Sequence, residues 1–330
     1  MSKTKLLGLV LGPVSFILIL FFFRPEGLSV QANAVLASTI WIAIWWITEA
    51  IPIAVTALLP LVLFPLSGGL DLSSTSGAFG HKYVFLYMGG FIIAIAIEKW
   101  NLHRRIALNI INLIGSDIRK IILGFMMATA FLSMWISNTA TAVMMLPIGL
   151  AIIKQLQDNP DTVEDENQTF GKALMLAIAY SASIGGVGTL IGTPPNLVLA
   201  GVILDIYGYE ITFMQWFAFG LPISVILIFI CWKYLTKYAF SFKQKSFPGG
   251  KQEIQRLLSS LGRITYEEKV VALVFALTAF CWITRSVLLQ KLLPALDDTI
   301  IAIFFAIVLF LIPSKKKGEQ LINWEAVSYT

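Results

Sequence analysis

Charge is scarce in this chain: Asp, Glu, Lys and Arg make up 13% of its 330 residues, about half the share of an ordinary soluble domain. Histidine and cysteine are scarcer still, with two of each. His81 and His103 flank one apolar run and have no partners at ligand spacing, which argues against a metal centre. Cys231 and Cys281 both sit in apolar stretches and cannot make a disulfide framework. There is no G-x-S-x-G elbow and no His-Glu-x-x-His pair, so an intramembrane hydrolase has no support. Gly186, Gly188 and Gly192 are spaced G-x-G-x-x-x-G inside an apolar run, which is not a dinucleotide fingerprint.

What the chain has is hydrophobic length. It is 57% hydrophobic and 12% aromatic, with a mean hydropathy of +0.81. Apolar runs near 18 residues mark bilayer spans, so the expected fold is an all-α polytopic membrane protein. The net charge of +5 and pI near 9.1 would hint at nucleic acid in a soluble domain. Here the basic residues lie between apolar runs and report orientation, so no nucleic-acid partner is expected.

The start, with Lys3 and Lys5 before an apolar run, superficially resembles a signal peptide. The run is long for one, and Arg24-Pro25-Glu26 separates it from the small residues Ala32-Asn33-Ala34, so residues 6–23 read as a first span. Further spans are expected at 31–50, 53–66, 82–97, 173–204, 213–232, 270–289 and 299–312. Glu49 precedes a turn at Pro52, where a capping or solvated role is expected. Between 233 and 269 lie eight Lys/Arg and three Glu. Ile254, Leu257, Leu258 and Leu261 there follow helical spacing, predicting an amphipathic helix along the membrane surface.

Residues 121–153 carry no charge, yet Ser137-Asn138-Thr139-Ala140-Thr141 falls in their middle. The basic segments 3–5, 98–120, 233–269 and 315–317 all belong on the cytoplasmic side by the positive-inside rule, which also places the N-terminus there. The 121–153 stretch must then cross zero times or twice, and about 50 Å of helix is short for two crossings of a ~30 Å core. A re-entrant hairpin with its tip at 137–141 satisfies both conditions. An acidic loop follows at 158–166. The uncharged run 173–204 is interrupted too, by Gly185-Gly186-Val187-Gly188 and by Gly192-Thr193-Pro194-Pro195-Asn196. Prolines 194 and 195 cannot donate to the preceding turn, which predicts a broken helix.

Helix ends inside a membrane leave backbone groups that need partners, and such ends survive where they bind something. Ser133 and Ser137, four apart, are expected on one helix face beside free carbonyls, which suits a hard cation such as Na+. Asn138 and Thr139 are expected to cap the second helix, whose positive end suits a carboxylate or another oxyanion. A broken helix paired with a hairpin is the usual construction of secondary-transporter sites.

Four stretches resemble the divalent anion–sodium symporter family, the sodium-coupled dicarboxylate, citrate and sulfate carriers. They are Trp46-Ile47-Thr48-Glu49-Ala50-Ile51-Pro52; Phe85 to Phe91 followed by Glu98 to Arg105; Ser137-Asn138-Thr139; and Gly192 to Asn196. The resemblance implies an elevator-type transporter, usually a homodimer, built from two inverted repeats. The first repeat would occupy 31–235, after a first span within 1–30, and a cytoplasmic loop would occupy 236–269. The second repeat would begin at 270–330. It implies sodium held by Ser133, Ser137, Asn138 and Gly192, and substrate met by Asn138, Thr139, Thr193 and Pro194.

The expected function is sodium symport of a succinate- or malate-like di- or tricarboxylate, not an enzymatic reaction. A sodium-independent exchanger, a sulfate transporter or a non-transporting scaffold are the alternatives. The family has a second Ser-Asn-Thr hairpin and a second broken helix that this sequence lacks, so a chain truncated within its second repeat is expected.

Overall fold

A computed structural model describes residues 2–115, 117–157, 164–240, 242, 249–316 and 319–328. The expected acidic loop at 158–166 therefore lies outside the described residues up to 163, as do 241, 243–248 and Lys317 of the basic segments. The described residues form helices and no strand. Among the described residues, six helical stretches are long and apolar enough to cross a membrane: Lys3–Phe22, Val30–Thr48, Leu72–Lys99, Asn138–Gln157, Phe213–Ala239 and Tyr266–Leu292. The chain divides into two compact units, Met1–Val84 and Phe85–Thr330.

The first unit holds α1 (Lys3–Phe22), α2 (Val30–Thr48), α3 (Ile53–Thr56), α4 (Pro60–Ser67) and α5 (Leu72–Phe79). Ser2 and Ser29 cap α1 and α2 by accepting the N–H groups of Lys5 and Ala32. The two helices pair closely because Gly8 and Gly12 of α1 leave room for Thr48, Trp41 and Trp45 of α2. Trp45 Nε1 donates to the Gly8 carbonyl at 3.0 Å and Asn33 Nδ2 to that of Ile19 at 3.2 Å. Glu49 caps α2 in the left-handed conformation, and its carboxylate lies 3.7 Å from Lys5 Nζ. Both side chains are largely exposed, so this pair contributes under about 1 kcal/mol. The span expected at 53–66 is two short helices, α3 and α4, with Pro60 at the start of the second, where its missing N–H costs nothing.

Helix α6 (Lys82–Lys99) runs across the division between the units. The second unit continues with α7 (Leu102–Ile114), α8 (Ile118–Ser133), α9 (Asn138–Gln157), α10 (Glu164–Gly186), α11 (Pro194–Tyr207) and α12 (Phe213–Lys233). Then come α13 (Gly250–Ser260), α14 (Tyr266–Thr284), α15 (Gln290–Leu292), α16 (Asp298–Leu311) and α17 (Trp324–Ser328). Short π-helical turns follow α12 at Tyr234–Ala239 and α14 at Arg285–Leu289. The starts of α12 and α14 are fixed by capping boxes, Thr212 with Gln215 and Thr265 with Glu268. The second box places the start of α14 four residues before the span expected at 270.

The core of this unit is built on α8 and α10. Ile121, Ile122, Phe125 and Met126 of α8, and Phe170, Ala173, Leu174 and Ala177 of α10, are fully buried. The amphipathic helix predicted near 254–261 forms as α13, but its apolar side is not left for a membrane surface. Ile254 is buried, Leu257, Leu258 and Leu261 pack on the same core, and α13 lies against α7 and α9. An apolar stripe signals only that something covers it, and here protein does.

Candidate ion and substrate site

The hairpin runs from Ile118 to Gln157, longer at both ends than the expected 121–153. Its first arm tightens as it ends: Met134 N–H bonds to the Ala130 carbonyl, and Trp135 and Ile136 N–H both to that of Leu132. Ser133 is consequently the last helical residue of α8, while Ser137 stands beyond the turn. The two serines do not share a helix face, because residues 134–137 leave the helix between them. Ser137 Oγ instead accepts the N–H of Ala140 at 3.3 Å, so Ser137, not Asn138 or Thr139, caps α9. Asn138 and Thr139 are the first two residues of that helix, half-buried and exposed.

The second interruption is also longer than a proline kink. Helix α10 ends at Gly186, residues 187–193 are not helical, and α11 begins at Pro194 with Thr193 as its N-cap residue. The carbonyls freed at the end of α10 are met by side chains from elsewhere. Asn196 Nδ2 donates to Gly186 at 2.9 Å and Thr189 at 2.8 Å, Ser224 Oγ to Ile184 at 2.9 Å, and Trp216 Nε1 to Val187 at 2.9 Å. Four neutral bonds thus hold an unwound segment that would otherwise lose about 1–3 kcal/mol per unpaired group.

Hairpin tip and break meet. Ser133 is fully buried, and its Oγ lies 2.6 Å from the Ala182 carbonyl and 2.7 Å from Asn138 Oδ1. Thr189 Oγ1 donates to the Met134 carbonyl. Gly185 and Gly186 are glycines for a steric reason: a Cβ on the first would run into the backbone of Ala130, and one on the second into the amide of Asn138. Gly192 is buried against Gly186, whose carbonyl carbon would be 3.1 Å from an added Cβ.

Of the predicted sodium residues the structure therefore joins Ser133 and Asn138 directly and brings Gly192 next to them through Gly186. Ser137 sits at the cap, and Thr193 and Pro194 stand half-buried and exposed at the head of α11. Sequence reasoning missed Ala182 and Thr189, which act through a backbone carbonyl and long-range bonds, and named Gly186 only as part of the interruption, without its contact to Asn138. Asn196 was within a quoted motif and carried the signal unused.

The chemistry of this junction is that of an acceptor-rich point without a counter-ion. A serine hydroxyl has one proton, yet Ser133 faces two acceptors as the amide of Asn138 is oriented. The last turns of α8 and α10, the carbonyl ends of two helix dipoles, both reach it, while α9 and α11 begin with their N–H ends nearby in sequence. No charged side chain occurs in residues 121–153 or 173–204. Carbonyl ends favour a cation and N–H ends an anion.

An all-helical polytopic chain with a helical hairpin facing a broken helix, and a neutral polar site where they meet, belongs to the class of secondary membrane transporters in its construction. The profile of the family described as "Sodium:sulfate symporter transmembrane region" matches residues 3–330, and the chain belongs to that family. It is an integral membrane protein. It is similar to the sodium-dependent dicarboxylate transporter SdcS of Staphylococcus aureus, from strains USA300, NCTC 8325 and COL among others, with 50% identity over 330 residues. The match covers 98% of this chain and 64% of each of those relatives.

Proposed function

We propose that this chain carries one sodium site and one substrate-facing hairpin of a sodium-coupled carrier for succinate- or malate-like di- or tricarboxylates. One observation carries the reading: Asn138 Oδ1 and the Ala182 carbonyl lie 2.7 and 2.6 Å from Ser133 Oγ, where the last turns of α8 and α10 meet the start of α9, with no charged side chain in these segments. Na+ there would turn the crowded acceptors into ligands, and Ser137 and Gly192 stand next to them. A substrate carboxylate would meet the N-terminal turn of α9 at Asn138 and Thr139 and the head of α11 at Thr193 and Pro194.

The energetics favour sodium coupling. Moving one charge through the membrane potential is worth about 2.3 kcal/mol per 100 mV, so a dianion entering a negative cell needs two Na+ for neutrality and a third to exploit the potential. The name of the similar relatives supports a dicarboxylate, and the family description supports sulfate as the second reading. The distribution of basic residues supports a cytoplasmic N-terminus and a hairpin entering from the cytoplasmic side. An elevator motion, inverted repeats and a homodimer belong to this reading through the family.

The test is uptake of labelled succinate by the complete carrier in proteoliposomes. Uptake is expected with an inward Na+ gradient and not with choline, and unlabelled sulfate should compete weakly. Asn138→Ala and Thr139→Ala should abolish it. Undiminished sodium-driven uptake in both variants would remove these residues from the site, and uptake on dicarboxylate preloading without Na+ would make the protein an exchanger.

A further inference from the structure

The hairpin tip contains one large side chain that the ion site leaves unused. Trp135 lies midway between Ser133 and Asn138, and its ring is enclosed by three aromatic rings from α12 and α14. Phe213 stacks on it at 5.9 Å and 21°, Trp282 lies nearly parallel at 6.4 Å and 7°, and Phe275 meets it edge-on at 4.9 Å and 87°. Phe213 and Trp282 also stack on each other, at 4.9 Å and 17°. The indole N–H of Trp135 is buried and has no acceptor among the described residues.

Two walls of this socket are fastened by one residue. Asp298, almost fully buried at the start of α16, accepts the Phe213 N–H on Oδ2 at 2.8 Å and the Trp282 Nε1–H on its carbonyl at 3.0 Å. Its other carboxylate oxygen is 3.2 Å from Arg285 Nε, and Arg285 also reaches Glu210 at 3.0 Å and Asp297 at 3.6 Å. The socket is thus rigid where it is polar, while the ring inside it is held by stacking alone. Offset-stacked and edge-on contacts are preferred geometries of aromatic rings, so the three neighbours locate the ring without a hydrogen bond.

We propose that Trp135 is a positioning residue for the ion site: its seat among Phe213, Phe275 and Trp282 sets the spacing of Ser133 and Asn138, and Asp298 with Arg285 holds the seat. The inference rests on the sodium-site reading above. The side chains of the site belong to residues two before and three after Trp135, at the two helix ends that the turn joins. The turn is tied to Ala130 and Leu132 by its own backbone and to Thr189 through the Met134 carbonyl, and the Trp135 ring adds an anchor on the side of α12 and α14.

The experiment uses the purified chain in detergent, with Trp135→Ala, Trp135→Phe and Asp298→Ala. Apparent Na+ affinity is read from the sodium dependence of thermal unfolding, and tip mobility from hydrogen exchange of residues 133–141. Loss of one aromatic seat is expected to weaken Na+ binding by about tenfold in Trp135→Ala and to speed exchange at the tip while leaving α13 unchanged. Trp135→Phe should recover most of both, because the indole N–H has no bond to lose. Asp298→Ala should loosen the tip although it touches none of it. Unchanged affinity and exchange in Trp135→Ala would overturn the proposal, and so would Trp135→Phe behaving like Trp135→Ala. If the unmodified chain shows no response to Na+, the ion-site reading falls by itself, and the exchange of the three variants still decides whether Trp135 positions the tip.

Discussion

Two buried polar regions of the second unit solve the same problem in opposite ways. At the hairpin tip, hydroxyls, an amide and carbonyls face one another with no charged side chain in either segment that forms it. At the corner of α12, α14 and α16, one arginine that is 2% exposed faces three carboxylates, Glu210, Asp297 and Asp298. A region whose counter-charge is part of the chain is filled permanently. A region made only of dipoles can take an ion and give it up, because its empty state leaves no bare charge in a low-dielectric interior.

The comparison breaks first at Arg285. Arg285→Met removes the cation and leaves the buried Asp298 carboxylate with the Phe213 N–H alone, and losing one partner of such a cluster costs about 3–5 kcal/mol. Chemical denaturation of the purified chain in detergent micelles should show that loss equally in NaCl and in choline chloride. A loss confined to one of the two salts would mean that the corner takes part in ion binding and is not a fixed structural pair.

Ser133→Ala should behave in the opposite way. Without sodium it forfeits one buried hydrogen bond, to the Ala182 carbonyl, worth about 1 kcal/mol. With sodium at a hundred times Kd it should also forfeit a linked stabilisation of about 2.7 kcal/mol. The two variants therefore separate by the salt dependence of their defects more than by their size. Equal defects in both salts for Ser133→Ala would take the serine out of the ion site.

How much of this was legible beforehand follows from the range of each interaction. Uncharged runs, Pro194 and Pro195 and the Ser-Asn-Thr segment are local signals, and they located the hairpin and the broken helix. The Ser133–Ala182 and Thr189–Met134 bonds join residues 49 and 55 positions apart, and no spacing rule reaches that far. The family resemblance points to Gly192 through its motif, whereas the glycine that lies against Asn138 is Gly186, whose role is the absence of a side chain at that contact. Helix α13 teaches the same lesson: it forms where its periodicity predicts, but periodicity reveals an apolar face and not whether lipid or protein covers it.

The smallest effect probes a third arrangement, a titratable group kept neutral inside the fold. His103 on α7 is 6% exposed, with Nδ1 3.4 Å from the carbonyl of Ile97. Burial holds its pKa below the ordinary 6.5; the Ile97 carbonyl opposes this and the neighbouring Arg104 adds to it. A group with a depressed cationic pKa takes its proton more readily in the unfolded chain. Its contribution is therefore unfavourable only once the pH falls below about 6.5, and stability should decline from there toward the lower pKa of the folded state. Arg285 has carboxylates around it to receive its charge, and His103 faces the positive Arg104 instead. His103→Gln should consequently flatten the fall in Tm between pH 7.5 and 5.5 that the unmodified chain shows. Parallel Tm curves for the two proteins would mean that His103 is as easily charged in the fold as out of it, and that the neutral tip is not matched by a second neutral interior site.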